Sequence, residues 1–186
     1  MKKIIAFLLA GMLALALFAC GGDTPAPTVI TPTQPTTQGN SGPVSMSTDL
    51  YFSPKGVKLE IGAAPAPALE ALKAAIGEPS KTFESESCAL KAKDINYMYQ
   101  GFVLTVTYPE QGEDYICNID LDTDDYATPG GIRIKSTAED VFAVYGTDYR
   151  EDNGHYYYSE GMSILHIAIK DGRVSLLAYE YDWDNA

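Results

Sequence analysis

Apolar and polar residues alternate along two stretches of this chain, and in each the alternation gives way to a helical stripe. Val57, Leu59 and Ile61 alternate with Lys58 and Glu60, and Ile132 and Ile134 alternate with Arg133 and Lys135. A period of two is that of a half-buried strand. After the second stretch, Ala138, Val141, Phe142 and Tyr145 fall three and four apart, on one side of a predicted helix. Ser136 and Glu139 have the Ser-x-x-Glu spacing of a capping box, and Gly146 can end the helix in a left-handed conformation. After the first stretch, Leu69, Leu72 and Ile76 make the stripe. Pro67 suits the first turn, Gly77 ends the helix and Pro79 bars its continuation.

Beyond each helix the period switches to strands. "INYMYQGFVLTVTY", from Ile95 to Tyr108, is answered by "HYYYSEGMSILHIAI", from His155 to Ile169; "DYICNIDL" is answered by "GRVSLLAY". The expectation is an α+β fold of two tandem repeats, each a short helix packed on an antiparallel β-meander. Repeat 1 spans 49–122 and repeat 2 spans 123–186.

Turn chemistry sets the predicted register. A two-residue turn at Gln100-Gly101 puts Tyr99 opposite Phe102, Tyr97 opposite Leu104 and Ile95 opposite Val106, all on the face under the helix. Asn96, Met98, Val103, Thr105 and Thr107 share the other face. In the second half, a four-residue loop at 159–162 would pair Tyr158 with Ser163 and Tyr156 with Leu165. That turns Ile167 and Ile169 inward, and Tyr157, Ile164, His166 and Ala168 outward. The candidate interaction face is therefore Asn96, Met98, Val103, Thr105, Tyr157, Ile164 and His166, mixed in polarity as a contact surface requires. Most of the 13 tyrosines are assigned to core packing.

The N-terminus adds an address. Lys2 and Lys3 precede an apolar run from Ile4 to Ala19, shorter than the roughly 20 residues of a bilayer span, so residues 1–19 read as a secretory signal. The closing Leu17-Phe18-Ala19-Cys20 resembles the lipobox of bacterial lipoproteins, which implies lipidation of Cys20 as the mature N-terminus. Residues 20–48 are Thr/Pro-rich and nearly uncharged, a tether with a mean reach of about 30 Å. The implied location is extracytoplasmic, lipid-anchored to the bacterial cell membrane, with no other membrane contact. The chain carries 13 Lys+Arg against 25 Asp+Glu, and removing Lys2 and Lys3 with the signal leaves 11 against 25, a net charge of −14. That balance excludes nucleic acid as a partner and disfavours an anionic lipid surface.

Two further resemblances bear on role. "STAEDVFAVYGTD" is similar to the helix signature of the small lipoproteins of the outer-membrane β-barrel assembly machinery, departing from it at Lys135 and Asp148; the first half keeps its end as "AIGEP". The tandem helix-plus-sheet pattern looks like the β-lactamase inhibitor protein fold. The stretch from Phe83 to Gly146 resembles a group of uncharacterised surface lipoproteins of Gram-positive bacteria. These likenesses imply protein-binding modules without catalysis.

Cys88 and Cys117 are the only thiols after Cys20. The predicted register sets Cys88, Tyr97, Leu104 and Cys117 in one row over four strands, separating the cysteines by about 14 Å. A disulfide needs Cα atoms within about 7 Å, so both are expected reduced. His155 in a turn and His166 in a strand lack metal-ligand spacing and are read as surface residues. Asp120, Asp122 and Asp124 alternate like the start of a calcium loop, but Asp125 and Gly131 stand where such a loop needs glycine and glutamate. No metal and no cofactor is expected. No nucleophile elbow, phosphate loop or zinc helix is present in the sequence, and the chain is read as non-enzymatic.

The expected function is a lipid-anchored binding or adaptor module contacting an envelope or secreted protein through an open sheet face. The alternative is a surface lipoprotein that binds a small molecule, a glycan or Ca2+. The anchor is checked directly: Cys20→Ser is expected to move the protein from the membrane pellet to the soluble fraction on cell fractionation, and retention in the pellet would contradict it.

Overall fold

The computed structural model describes residues 50–185 except 88–90. The signal, the tether, Cys20 and Cys88 lie outside the described residues. Helix α1 spans Pro65–Ile76 and is followed by four strands: β1 (Lys81–Ser87), β2 (Ala92–Tyr99), β3 (Phe102–Pro109) and β4 (Tyr115–Leu121). Helix α2 spans Ala138–Tyr145 and is likewise followed by four: β5 (Arg150–Asp152), β6 (His155–Glu160), β7 (Ser163–Lys170) and β8 (Arg173–Tyr181). The fold is α+β, with one antiparallel sheet of eight strands in the order β1-β2-β3-β4-β8-β7-β6-β5. The two meanders therefore meet through their last strands. Four residue pairs join them: Asn118–Glu180, Ile119–Tyr179, Asp120–Ala178 and Leu121–Leu177.

The first-half register is as the turn chemistry requires. Gly101 takes φ 88°, which closes the tight turn, and Ile95–Val106, Tyr97–Leu104 and Tyr99–Phe102 are partners. The second hairpin differs from expectation. Its turn is two residues, Gly161-Met162, so Tyr158 pairs with Leu165 and Tyr156 with Ile167. The slip is two positions, an even number, so every side chain keeps its predicted face. The cysteine row is also corrected. Thr82, not Cys88, faces Tyr97, and Ile119, not Cys117, faces Leu104. The register of β3 on β4 shifts between Thr105 and Val106, and Cys117 is the unpaired extra residue.

The alternating stretches ahead of the helices do not become regular strands. An isolated bridge joins Leu59 of the first to Phe52, and another joins Thr137, just past the second, to Arg173. The first is also tied to the sheet where Gly62 donates to the Ile116 carbonyl and Ile116 donates to Ala63. The second runs beside the start of β8, exchanging bonds between Lys135, Val174 and Ser136. Their apolar residues still do what alternation demands: Leu59, Ile61 and Ile132 are buried.

One core fills the space between these segments, the helices and one face of the sheet. Leu72 of α1 and Val141 and Tyr145 of α2 join Phe52, Leu59, Phe102, Leu104, Ile119, Leu121, Leu165, Ile167, Leu177 and Tyr179. Each large side chain removed from water contributes about 1.5–3 kcal/mol. Aromatic contacts knit the first half through Phe52, Phe102 and Tyr126, with centroids 5.1–5.5 Å apart. The second half uses tyrosines: Tyr149 meets Tyr156 at 5.0 Å, and Tyr145 meets Tyr158 at 5.4 Å. Tyr99, Tyr145, Tyr158 and Tyr179 are buried core residues, and Tyr97 and Tyr156 pack half-buried against the core. Among the described residues, no helix is long and apolar enough to cross a membrane.

Helix α2 is capped one residue later than its sequence suggests. Thr137 is the N-cap: its hydroxyl accepts from the Asp140 amide, and the Asp140 carboxylate accepts from the Thr137 amide. Ser136 instead accepts from Arg133 in the preceding turn. Hydrogen bonding from Thr137, side chain then backbone, holds the exposed Asp140 carboxyl below its ordinary pKa. Thr137→Ala is expected to cost about 1 kcal/mol in denaturant unfolding, more than Ser136→Ala. A depressed carboxyl supports the native state fully above its unfolded pKa, and the support is lost as pH falls through its folded pKa. The Thr137→Ala penalty should therefore shrink as pH falls through the carboxylate range. An equal or larger loss from Ser136→Ala would put the cap back at Ser136.

Candidate functional site

The face of the sheet away from the helices carries its own ordered side chains. One row crosses all eight strands: Lys81, Met98, Val103, Asp120, Ala178, His166, Tyr157 and Arg150 are successive partners. A second runs Phe83, Asn96, Thr105, Asn118, Glu180, Ile164 and Ser159. The seven residues proposed from sequence all lie in these two rows. At about 4.8 Å per strand step, an eight-strand row spans roughly 34 Å. None of the seven belongs to the core cluster.

The rows differ in access. Met98 is exposed, as is Phe83 at the β1 edge, while Val103, Asn96, Tyr157 and Ile164 are half-buried. Thr105 and His166, expected on the surface, are only 8% and 9% exposed. Both are buried by neighbours on their own face. Thr105 donates to the Asn96 side-chain carbonyl at 2.9 Å, and Thr107 in the same way donates to Asp94 at 2.7 Å.

His166 has three neighbours. Its Nδ1 lies 2.6 Å from the Glu180 carboxylate, and its Nε2 lies 2.7 Å from Nδ1 of His155. The Tyr157 ring stacks on its imidazole at 4.4 Å, and the Arg150 guanidinium sits 4.0 Å from the centroid of that same Tyr157 ring. Sequence reasoning treated the two histidines separately because they are eleven positions apart. The hairpin turn at Gly161-Met162 brings them together: His155 pairs with Ala168, and His166 with Tyr157, so the imidazoles are diagonal neighbours on one face. Glu180 and Asp120 were missed as members of this site. The register of β8 against both β4 and β7 is the only signal for them, and it is not a local one.

Asp120 sits where the two halves meet. Burial is the first cause that pushes its carboxyl pKa up; the Asn118 amide, donating at 2.6 Å, opposes this, and the charges of Glu180 and Asp122 add to it. The three aspartates do not converge on a cation. Asp124 pairs with Lys135 at 2.7 Å, and among the described residues no group of three His, Cys, Asp or Glu could hold a metal. Among the described residues Cys117 has no disulfide partner; burial pushes its thiol pKa up to about 11, and it donates weakly to the Thr105 carbonyl at 3.5 Å.

Concavities are shallow. A hollow of ≈ 390 Å³ opens beside Val103, Asp120, Asp122 and Leu176 at the centre of the face. A larger one, ≈ 600 Å³, lies at the end of β2 and β3 between Lys91 and Glu110 and includes none of the candidate residues.

No protein-family model matches the chain. No curated protein matches it. Among solved structures it is similar to an extracellular protein containing a SCP domain from Bacillus anthracis str. Ames, at 13% identity and a TM-score of 0.45. The match covers 81% of this chain and 50% of that one, so this chain spans about half the length of that protein. At this distance the likeness does not extend to function.

A carboxylate whose pKa is raised on folding weakens the native state while ionised, above its folded pKa, and the cost disappears below its unfolded pKa. Asp120→Asn is therefore expected to raise Tm at pH 7, with the gain closing as pH falls towards 3. Thermal unfolding at the two pH values checks this; a lowered Tm at pH 7 would contradict it.

Proposed function

We propose that this protein is a lipid-anchored, extracytoplasmic binding module that holds a protein partner against the open face of its sheet and performs no chemistry on it. The observation that carries the reading is the division of labour between the two faces. One closes on a single core with both helices, and the other presents two continuous rows of mixed side chains. Tyrosine, methionine and arginine are enriched where proteins meet, and the long row contains Met98, Tyr157 and Arg150. A carboxylate kept half-buried at Asp120, against its own ionisation, is a sacrifice of stability of the kind that contact and binding sites make.

The halves 49–122 and 123–186 are read as two copies of one helix-plus-meander unit. The matching element order on either side of the β4–β8 junction supports this. Duplication doubles the width of the face without a second core. The lipobox and tether would present that face outside the cell.

One observation favours the ligand-binding alternative. Trp183 is 53% exposed and lies 4.7 Å from Tyr181, which lies 5.0 Å from Tyr115. An exposed aromatic platform of this kind suits the apolar face of a sugar ring.

Photo-cross-linking in intact cells separates the readings. With the reactive residue at Met98 or Tyr157, adducts with another envelope protein are expected; at Ala143 on the exposed side of α2 they are not. Equal adducts from α2, or none from the open face, would sink the contact-face reading. Adducts from Trp183 alone, to glycan, would favour the alternative.

A further inference from the structure

His155, His166 and Glu180 make an unbranched chain in the half of the face beyond the β4–β8 junction, and its protons can be counted. Glu180 accepts from Nδ1–H of His166. That leaves Nε2 of a neutral His166 bare, so the 2.7 Å contact with His155 requires the proton to be on His155 Nδ1. Nε2 of His155 is then bare and free of the chain. One added proton goes there from solvent and breaks nothing. It turns the three groups from a net negative charge to neutral.

A second proton cannot be taken up in the same geometry. Its place on the imidazole pair is Nε2 of His166, which already faces an N–H at 2.7 Å. Two N–H groups cannot point at each other at that distance, and two imidazolium rings in contact repel. The rings must part. His166 is nine-tenths buried under Tyr157, so parting also disrupts the stack and the Arg150 contact above it.

Charged groups face the pair from the elements packed around it: Glu180 on β8, Asp120 on β4, and on β5 Asp152, the partner of His155, with Arg150 over Tyr157. On β7 the neighbouring outward positions are the uncharged Ile164 and Ala168.

We propose that the Glu180–His166–His155 chain is a proton-set latch: it stays closed with no added proton or with one, and opens when both imidazoles are charged. Opening rearranges Tyr157 and Arg150 in the long row, so acidification would release whatever the face holds. This last step rests on the contact-face reading; the latch itself does not.

The test uses the full-length protein, ¹⁵N-labelled and in detergent micelles, with long-range ¹H–¹⁵N spectra of the imidazole rings from pH 8 to 4.5. Through the first protonation only His155 Nε2 should shift, and the His166 Nδ1–H signal should persist. At the second, that signal and the Tyr157 ring-current shift should vanish together. In His155→Ala the facing N–H is gone, so the His166 signal should persist through the pH at which the wild-type latch opens. Two rings that titrate independently, with an unchanged His166 profile in His155→Ala, would overturn the latch. Cross-linking from Met98 at pH 7.5 and 5.0 tests the consequence, with a loss of about fivefold or more expected in wild type and none in His155→Ala. A flat yield despite an opened latch overturns the gating. No adduct at either pH counts against the contact face, and the spectra still decide the latch.

Discussion

The pairing of β4 with β8 is the constraint on which the rest of this structure depends. It is short, four residue pairs, yet it joins two four-stranded meanders into one sheet. Its residues alternate. Ile119, Leu121, Leu177 and Tyr179 point into the core, and Asn118, Asp120, Ala178 and Glu180 point to the open face. The same hydrogen-bonded ladder thus lets apolar residues of both meanders share one core. It also sets the acidic centre of one half beside the histidine chain of the other.

That arrangement explains why the open face is not an ordinary solvated surface. A sheet face exposed on its own favours threonine and charged side chains that extend into water. Here they fold onto one another instead. Thr105 bonds Asn96, Thr107 bonds Asp94, Asn118 bonds Asp120, and Glu180 bonds His166. Satisfied pairs of this kind hold side chains in fixed places, which under the proposed contact role would lower the ordering cost of binding. Desolvation of Asp120 is the unfavourable remainder.

Local signals in the sequence carried much of this. The stripes at Leu69–Leu72–Ile76 and Ala138–Val141–Tyr145 do place both helices, because a helix buries one stripe and ends where glycine lets it. The turn at Gln100-Gly101 fixes three residue pairs of β2 and β3 correctly. Four things were not legible. The stretches at Val57–Ile61 and Ile132–Ile134 alternate like strands, but they meet the sheet only through a few bonds just beyond their ends, Gly62 and Ala63 to Ile116 and Lys135 and Ser136 to Val174. The bulge at Cys117 lies next to Ile116, which bonds Gly62 and Ala63 of a distant segment, and no local pattern marks it. And β5, three exposed residues, has no hydrophobic pattern to announce it. The histidine chain needed the correct turn at 161–162, which Glu160-Gly161-Met162 leaves open between two and four residues.

Native-state hydrogen exchange, read amide by amide, tests the β4–β8 junction most directly. A single sheet held at that junction requires the hydrogen-bonded amides of β3, β4, β7 and β8 to exchange by one common opening, at the free energy of global unfolding, with the junction among the slowest. Two separate opening free energies, with β1–β4 protected while β6–β8 exchange or the reverse, would show that the halves stand alone and that the shared core does not hold the structure together.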